Sequence, residues 1–204
     1  MKKRTLGRTG WDISIISFGA IKLPRLSQKE CDTLLNQAID LGINFVDTAD
    51  CYGDSEEKIG NALGRRRQGF YLSTKVDERD GPGVAKKLER CLRRLKTDWI
   101  DLVLFHDVRG SEYEKIFEQG GLETLEKAKE DGKVSQIGIS IHQSVSMMEK
   151  AIHSGVFSVL MIAYSAIDED RLSADFIPSA HEKGVGLIAM KPLAGGKLGN
   201  SGKG

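Results

Sequence analysis

The stretch Gly19-Ala20-Ile21-Lys22-Leu23-Pro24 follows the first predicted barrel strand and decides between two parallel α/β folds. A doubly wound dinucleotide-binding sheet places a Gly-x-Gly-x-x-Gly turn here, so that the backbone can approach a pyrophosphate. The quoted stretch has one glycine and a proline, so it lacks that turn. We therefore predict a parallel (β/α)8 barrel of the TIM type rather than an open doubly wound sheet.

Short β-rich segments alternate with longer helical segments along the rest of the chain, as in a parallel sheet joined by helical crossovers. The sequence predicts seven barrel strands, six helices and a short N-terminal hairpin in one domain, residues 1–204. Several strands are continuous apolar runs, as burial on both faces requires. The seven strands are predicted at residues 15–18, 44–47, 70–75, 100–105, 134–140, 158–162 and 186–190.

The helical segments carry recognisable ends and apolar faces. The first helix is predicted to begin with a capping box at Ser27-Gln28-Lys29-Glu30 and to stop at Gly42. Cys31 and Cys91 fall on apolar helix faces, so we assign both to packing. The basic run Arg65-Arg66-Arg67 is predicted to end the second helix as a solvated terminus, where cations favour the helix dipole.

Composition and charge favour a small-molecule partner. Thirty basic and 29 acidic residues leave a formal net charge of +1, which provides no broad field for nucleic acid or an anionic membrane. The three cysteines are far apart and lack the spacing of a metal site, which indicates a reducing compartment. Neither an apolar signal segment nor a membrane-spanning run is present in the sequence. We therefore expect a cytoplasmic protein.

Four ionisable groups fall where predicted strands end. Asp47 closes the second barrel strand, Tyr52 follows in its loop, and Lys75 and His106 stand at the ends of the next two strands. Loops at these ends converge on the mouth of a barrel. A carbonyl that accepts a hydride needs a proton donor and an orienting hydrogen bond. Tyr52 is the predicted donor, and Lys75 is the cation that lowers its pKa. Asp47 anchors that lysine, and His106 orients the carbonyl.

Each of these residues also has a purely structural interpretation. Asp47 can cap a turn, Lys75 can be an exposed strand end, and His106 can be a barrel histidine with its hydrogen bonds satisfied. Their joint occurrence at three successive strand ends favours the chemical interpretation. A metal-dependent barrel hydrolase is a further hypothesis, but the other three histidines are scattered and form no His-x-His pair.

The sequence resembles the aldo-keto reductases in motifs that keep their order over nearly the whole chain. The motifs are Leu6-Gly7-Arg8-Thr9-Gly10, Phe45-Val46-Asp47-Thr48-Ala49-Asp50-Cys51-Tyr52-Gly53, Ser73-Thr74-Lys75-Val76, Asp101-Leu102-Val103-Leu104-Phe105-His106, Gly132-Lys133-Val134, Gly138-Ile139-Ser140 and Pro192-Leu193. The resemblance implies an oxidoreductase that reduces an aldehyde or ketone to an alcohol with NADP(H), NAD(H) being the alternative cofactor. It implies that Tyr52 is the general acid, supported by the other three strand-end residues.

The resemblance also implies cofactor contacts. Ser140 matches the family serine near the nicotinamide carboxamide, and residues 190–198 match the loop that covers the cofactor pyrophosphate. The residues that the resemblance assigns to cofactor binding are Gly19, Ser140, Met161, Met190, Lys191, Leu193, Gly195 and Leu198.

The sequence departs from the family pattern at several points. Ile141 and Met161 stand where many members have asparagine and glutamine, and Met190 stands where an aromatic residue often stacks on the nicotinamide. The sequence stops at Gly204, before the family's eighth strand and substrate loop, so we expect an incomplete barrel, truncated after the seventh strand, whose open edges favour self-association. The alternative function is a catalytically weak or inactive barrel that senses a nucleotide or binds another protein.

Overall fold

Seven parallel strands follow one another in sequence order in the computed structural model, which describes residues 1–165, 167 and 172–199 apart from the side chains at 196, 197 and 199. A doubly wound sheet would reverse its strand order at a switch point, and this sheet does not. The predicted barrel-type sheet is thus confirmed, and its first and last strands are its two edges. Its strands are β3 Phe18–Gly19, β4 Phe45–Asp47, β5 Tyr71–Val76, β6 Ile100–Phe105, β7 Val134–Ile141, β8 Val159–Ala163 and β9 Gly186–Met190.

The N-terminal hairpin lies at the amino ends of the sheet strands. Its strands, β1 Lys3–Thr5 and β2 Asp12–Ser14, are antiparallel. The side chain of Asn44, just before β4, binds the hairpin backbone at residues 12 and 14. The Arg8 guanidinium donates hydrogen bonds to the carbonyl oxygens of Gly155, Val156 and Phe157. The hairpin therefore ties the β4 end of the sheet to the connection before β8.

The described residues contain seven α-helices, one more than predicted. The connection between β6 and β7 holds two helices, because the left-handed Gly120 (φ 77°) separates them. The first of the two helices buries only Tyr113 and Ile116, so its apolar pattern is too short to predict a helix. The helices are α1 Gln28–Asp40, α2 Ser55–Leu63, α3 Gly81–Leu95, α4 Glu112–Glu118, α5 Gly121–Glu130, α6 Val145–His153 and α7 Phe176–Glu182.

Some of the predicted helix and strand boundaries are confirmed, and others are wrong. The capping box that begins α1 is present, with the Ser27 side chain accepting from the Glu30 N–H. The strand predicted at 15–18 is wrong, because Ile15 and Ile16 are exposed and only Phe18–Gly19 pairs with β4. The predicted end of the second helix is also wrong, because the basic run Arg65-Arg66-Arg67 lies beyond α2 in a 3-10 segment, Gly64–Gly69.

Arg67 is not a solvated helix end but a buried cation. Its guanidinium donates to the Asp101 carboxylate at 2.6 Å and to the Phe70 and Trp99 carbonyl oxygens. The guanidinium also lies 4.4 Å from the ring centroid of Trp99. These contacts join the segment after α2 to the beginning of β6, so this arginine stabilises the packing of two βα units.

The core has two layers, one on each face of the sheet. The outer layer packs the helices on the strands and contains Cys31 and Cys91, both fully buried, as predicted. The inner layer fills the barrel interior, where Leu6 of the hairpin segment meets Phe45 and Leu104. Among the described helices, none combines the length and the apolar character needed to cross a membrane.

Candidate active site

The carboxyl ends of β4, β5 and β6 bring three of the four predicted catalytic residues onto adjacent strands. Asp47 is the last residue of β4 and pairs in register with Ser73, and Lys75 of β5 pairs with Leu104 of β6. His106 directly follows β6, and its N–H donates to the carbonyl oxygen of Val76 at 2.8 Å. Parallel pairing therefore places the three side chains at one end of the sheet, as the sequence predicts.

Lys75 and Asp47 form a buried ion pair. The Lys75 side chain is 2% exposed and that of Asp47 is 15% exposed, so both groups are largely shielded from water. The Lys75 Nζ donates to Asp47 Oδ2 and to the Thr48 carbonyl oxygen, at 2.6 Å each. The Ser73 hydroxyl donates to the other carboxylate oxygen at 3.0 Å. The lysine is thus anchored in the way the sequence predicts.

Tyr52 stands over this pair and beside His106. The Lys75 Nζ lies 5.2 Å from the centroid of the Tyr52 ring. The Tyr52 and His106 rings make an edge-to-face contact, with centroids 5.8 Å apart and planes at 78°. The tyrosine N–H donates to the Ala49 carbonyl oxygen, which closes a turn in the loop after β4. The structure therefore brings all four predicted catalytic residues together.

The pKa of Tyr52 departs from the prediction. Burial and the negative charge of Asp47 raise the pKa of the phenol above its usual value, whereas the sequence analysis expected Lys75 to lower it. The reason is that burial disfavours the charged phenolate, and the Asp47 carboxylate that pairs with Lys75 offsets part of the positive charge of the lysine. Tyr52 consequently holds its proton throughout the physiological pH range.

His106 is neutral in this site. Burial and the positive charge of Lys75 lower the pKa of the imidazole to about 4. One ring nitrogen therefore carries a hydrogen at neutral pH and the other accepts. The ring Nδ1 lies 3.4 Å from the Sγ atom of Cys51, and the Arg79 guanidinium holds the His106 carbonyl oxygen at 2.6 Å. Neither Cys51 nor Arg79 was identified from the sequence.

A cationic face of α3 anchors the loop that carries Tyr52. Asp50, 4% exposed, accepts hydrogen bonds from Lys87 and Arg90, and Arg94 lies 3.5 Å away. These cations are three and four residues apart, so they share one helix face. That spacing is visible in the sequence and is the signal from which this anchor could be predicted.

The predicted cofactor residues occupy different environments. Ser140 is fully buried, and its hydroxyl accepts from the Asp107 N–H at 2.7 Å. Met161 lies in the inner core, and Met190, the last residue of β9, packs beside that core. Gly19 is exposed at the end of β3, in register with Asp47. These four positions therefore lie at different depths, from the exposed Gly19 to Met161 in the inner core.

The loop after β9 is the more accessible part of the predicted cofactor site. Lys191 is exposed, and its Nζ lies 3.5 Å from Nδ1 of His142. Leu193 and Leu198 are exposed, and Gly195 has a positive φ of 69°. A side chain built on Gly195 would meet no atom within 4 Å, so the backbone here faces open space. This loop can be approached by a ligand from outside.

The described residues contain one group of acidic and thiol side chains close enough to share a metal ion, namely Asp50, Glu56 and Cys91. All three are buried, and Cys91 belongs to the outer layer of the core. Arg94 lies near Asp50 and Glu56, within 3.6 Å of each. A cation in that group would be repelled by the arginine, so the group does not support a hydrolase.

Comparison with known proteins identifies chains that are similar to this one. The model of the aldo/keto reductase family matches residues 15–203. The "Uncharacterized oxidoreductase YqkF" of Bacillus subtilis (strain 168) is 32% identical over 97% of this chain and 67% of its own length. L-galactose dehydrogenase of Arabidopsis thaliana is 29% identical, over 96% of this chain and 66% of its own. The chain therefore spans about two thirds of the length of these relatives.

A solved structure gives the same result for the fold. The holo form of the aldo-keto reductase AKR11C1 from Bacillus halodurans superposes with a TM-score of 0.81 and 27% identity. The match covers 96% of this chain and 68% of that protein. The fold is therefore similar in the two proteins.

Proposed function

The chain belongs to the aldo/keto reductase family, and from this premise we propose that it reduces an aldehyde or ketone to an alcohol with NADPH, Tyr52 being the general acid. The observation that supports this most strongly is the convergence of Tyr52, His106 and the Lys75–Asp47 pair at one end of the sheet. When bound, the reduced nicotinamide supplies the hydride. The chain's own residues then have to supply a proton and orient the carbonyl.

Tyr52 is suited to deliver that proton late in the reaction. Because the pKa of its phenol is raised, the hydroxyl is protonated before substrate arrives. An alkoxide is a stronger base than a phenolate, so the proton moves to the carbonyl oxygen as negative charge develops there. A raised pKa is therefore compatible with a general acid, although it removes the activation that the sequence analysis assigned to Lys75.

Lys75 acts on the charge that forms during the reaction. The phenolate left on Tyr52 after proton transfer stands beside the ammonium group, which lies 5.2 Å from the ring centroid. In a site shielded from water, a fixed cation lowers the energy of an anion that forms nearby. Asp47 keeps the cation in place, at the cost of part of its field.

His106 supplies the orienting hydrogen bond. With its pKa at about 4, the ring is uncharged at neutral pH and offers one N–H donor. A neutral donor can hold a carbonyl oxygen without protonating it prematurely. Tyr52 and His106 lie edge to face, so both can approach the same oxygen atom.

The loop after β9 fits the anionic part of a dinucleotide. Lys191 presents an exposed ammonium group, and the backbone at Gly195 is open to solvent. A cation and an accessible backbone are what a pyrophosphate requires. Ser140 contributes less to this argument, because its hydroxyl is buried and already bound to Asp107. The choice of NADP(H) over NAD(H) rests on the family resemblance.

We also propose a binding partner and a cellular location for this protein. A small carbonyl or alcohol is the partner, and we place the protein in the cytoplasm, because Cys31, Cys51 and Cys91 are all free thiols. The edges at β3 and β9 are not paired with one another among the described residues, which supports self-association through them.

Replacement of Tyr52 by phenylalanine tests the proposal. The substitution removes the hydroxyl and keeps the ring, so we expect NADPH oxidation with a panel of aldehydes and ketones to fall at least 100-fold. NADPH affinity, measured by fluorescence titration, should stay within about two-fold of the wild-type value. Equal rates in the two proteins would remove Tyr52 from the mechanism. NADPH binding by a wild-type chain that reduces no carbonyl would favour a nucleotide sensor instead.

A further inference from the structure

The thiol of Cys51 makes a contact that the proposed mechanism does not use. Its Sγ atom lies 3.4 Å from Nδ1 of His106, well within the range of a hydrogen bond that involves sulfur. Cys51 directly precedes Tyr52, so one short loop reaches both rings of the site. We infer that Cys51 is a positioning residue, whose S–H donates to Nδ1 of His106 and holds the ring in the tautomer with its hydrogen on Nε2.

The backbone on the cysteine side of this contact is fixed. The Asp50 N–H donates to the Lys75 carbonyl oxygen at 3.1 Å, and the Tyr52 N–H donates to the Ala49 carbonyl oxygen at 3.0 Å. The Asp50 carboxylate is held by the cationic side chains of α3. Cys51 stands between these two anchored residues, so its side chain starts from a defined position.

The histidine side is held equally well. The His106 N–H donates to the Val76 carbonyl oxygen, and its own carbonyl oxygen accepts from the Arg79 guanidinium, which is itself buried. No protein partner for Nε2 is found among the described residues, whereas Nδ1 has the thiol. The two ring nitrogens therefore have different surroundings, and their difference decides the tautomer.

The chemistry of the pair favours one of two arrangements. A neutral imidazole and a thiol together carry one N–H and one S–H hydrogen. Either the S–H donates to Nδ1, or an Nδ1–H donates to sulfur, and sulfur is the weaker acceptor of the two. Although Cys51 is exposed, partial desolvation of its thiol in the loop and the nearby Asp77 carboxylate raise the pKa of that thiol, so its hydrogen is present at neutral pH. The S–H donor arrangement is thus preferred, and Nε2 keeps the ring hydrogen.

The consequence for the reaction rests on the proposed function. An Nε2–H hydrogen is the donor that a substrate carbonyl needs from His106, whereas the other tautomer would present a lone pair to the carbonyl oxygen. Cys51 does not touch the substrate in this account. Its role is to keep the donor on the nitrogen that faces away from it.

Nitrogen-15 NMR of the ligand-free chain tests the inference without reference to activity. The chain has four histidines, and the His106 signals can be assigned by their absence in His106→Asn. We expect the Nε2–H tautomer in the wild type and in Cys51→Ser, since a serine hydroxyl also donates. In Cys51→Val the ratio of tautomers should shift about five-fold toward Nδ1–H, which corresponds to the loss of about 1 kcal/mol. A water molecule in place of the thiol can donate or accept, so it restores no preference.

Three results would overturn the inference: an Nδ1–H tautomer in the wild type, an unchanged ratio in Cys51→Val, or a ratio in Cys51→Ser equal to that of the valine variant. Cys51→Ala provides a second donor-free variant should valine disturb the loop, and circular dichroism confirms that each variant is folded. Failure of the proposed function would show itself separately, as a wild-type chain with the expected tautomer and no carbonyl reduction.

Discussion

The surroundings of single side chains determine the protonation states in this site. The effect is easiest to measure at His106. The unfolded chain binds a proton at His106 near pH 6.5, but the folded site binds it only near pH 4 because the ring is partly buried beside Lys75. Between these values the unfolded state holds more protons, so the free energy of unfolding falls as the pH is lowered through that window. His106 therefore contributes stability at neutral pH that is lost in mild acid.

Replacement of His106 by asparagine should remove this part of the pH dependence. From pH 7 to pH 5, the wild type should lose about 1 kcal/mol more unfolding free energy than the variant, a value reduced to allow for solvent screening of a partly exposed ring. Urea unfolding at the two pH values measures the difference. His181→Asn, on the exposed side of α7, is the matched control and should follow the wild type. Parallel curves for wild type and His106→Asn would contradict the buried neutral ring.

The sequence predicted where the candidate site lies but not the pKa values within it. Motif order and strand ends predicted where Asp47, Tyr52, Lys75 and His106 lie. The pKa of Tyr52 depends on its burial and on the carboxylate of Asp47, which pairs with Lys75 at 2.6 Å. This contact joins two strands and cannot be recognised from the sequence. The contact of Cys51 was not predicted for the same reason, because its partner His106 is 55 positions away in the sequence.

The elements around the site are held by the charge contact between α3 and the loop after β4. Asp50 is buried and faces Lys87, Arg90 and Arg94. Replacement of Asp50 by asparagine keeps the shape of the side chain but leaves these cations without their buried anion. We expect a loss of about 3 kcal/mol in unfolding free energy. Denaturant titration provides the measurement.

Asp77 is the matched control for that substitution. It also pairs with Lys87 at 2.8 Å, but its side chain is 45% exposed. Asp77→Asn should therefore cost less than about 1 kcal/mol, as expected for an ion pair at the surface. If both variants lost the same small amount, Asp50 would not be the anchor of the loop.

Element boundaries followed from the sequence where local signals were strong. The capping box of α1 and the apolar runs of β6 and β9 were predicted at the positions where they occur. The strand predicted at 15–18 failed because Ile15 continues the hairpin, its N–H donating to the Lys2 carbonyl oxygen. Arg67 was misread because its burial depends on Asp101, on a different βα unit. Tertiary contacts decided both cases.

In the molecule as a whole, β3 and β9 form two open edges of the sheet, which the amino-acid composition does not reveal. Ile15 and Ile16, 54% and 58% exposed, lie two to three residues before the edge strand β3. Exposed apolar side chains next to the open side of an edge strand favour association. We expect Ile16→Lys to lower the weight-average sedimentation coefficient of the chain toward that of a monomer.

Ile177→Lys is the matched control for the edge. This isoleucine is 54% exposed but lies on α7, and the same change in charge there should leave association unaltered. Sedimentation velocity at several concentrations distinguishes the two variants. A wild-type chain that is already monomeric at all concentrations would show that the edges do not associate.

We propose that this chain transfers a hydride from NADPH and a proton from Tyr52 to a carbonyl. The most direct measurement uses NADPH deuterated at the transferable C4 position and follows the alcohol product by mass spectrometry. We expect one deuterium on the former carbonyl carbon with the wild type and at least 100-fold less product with Tyr52→Phe. Product without deuterium, no product from any carbonyl, or equal yields from the two proteins would contradict it.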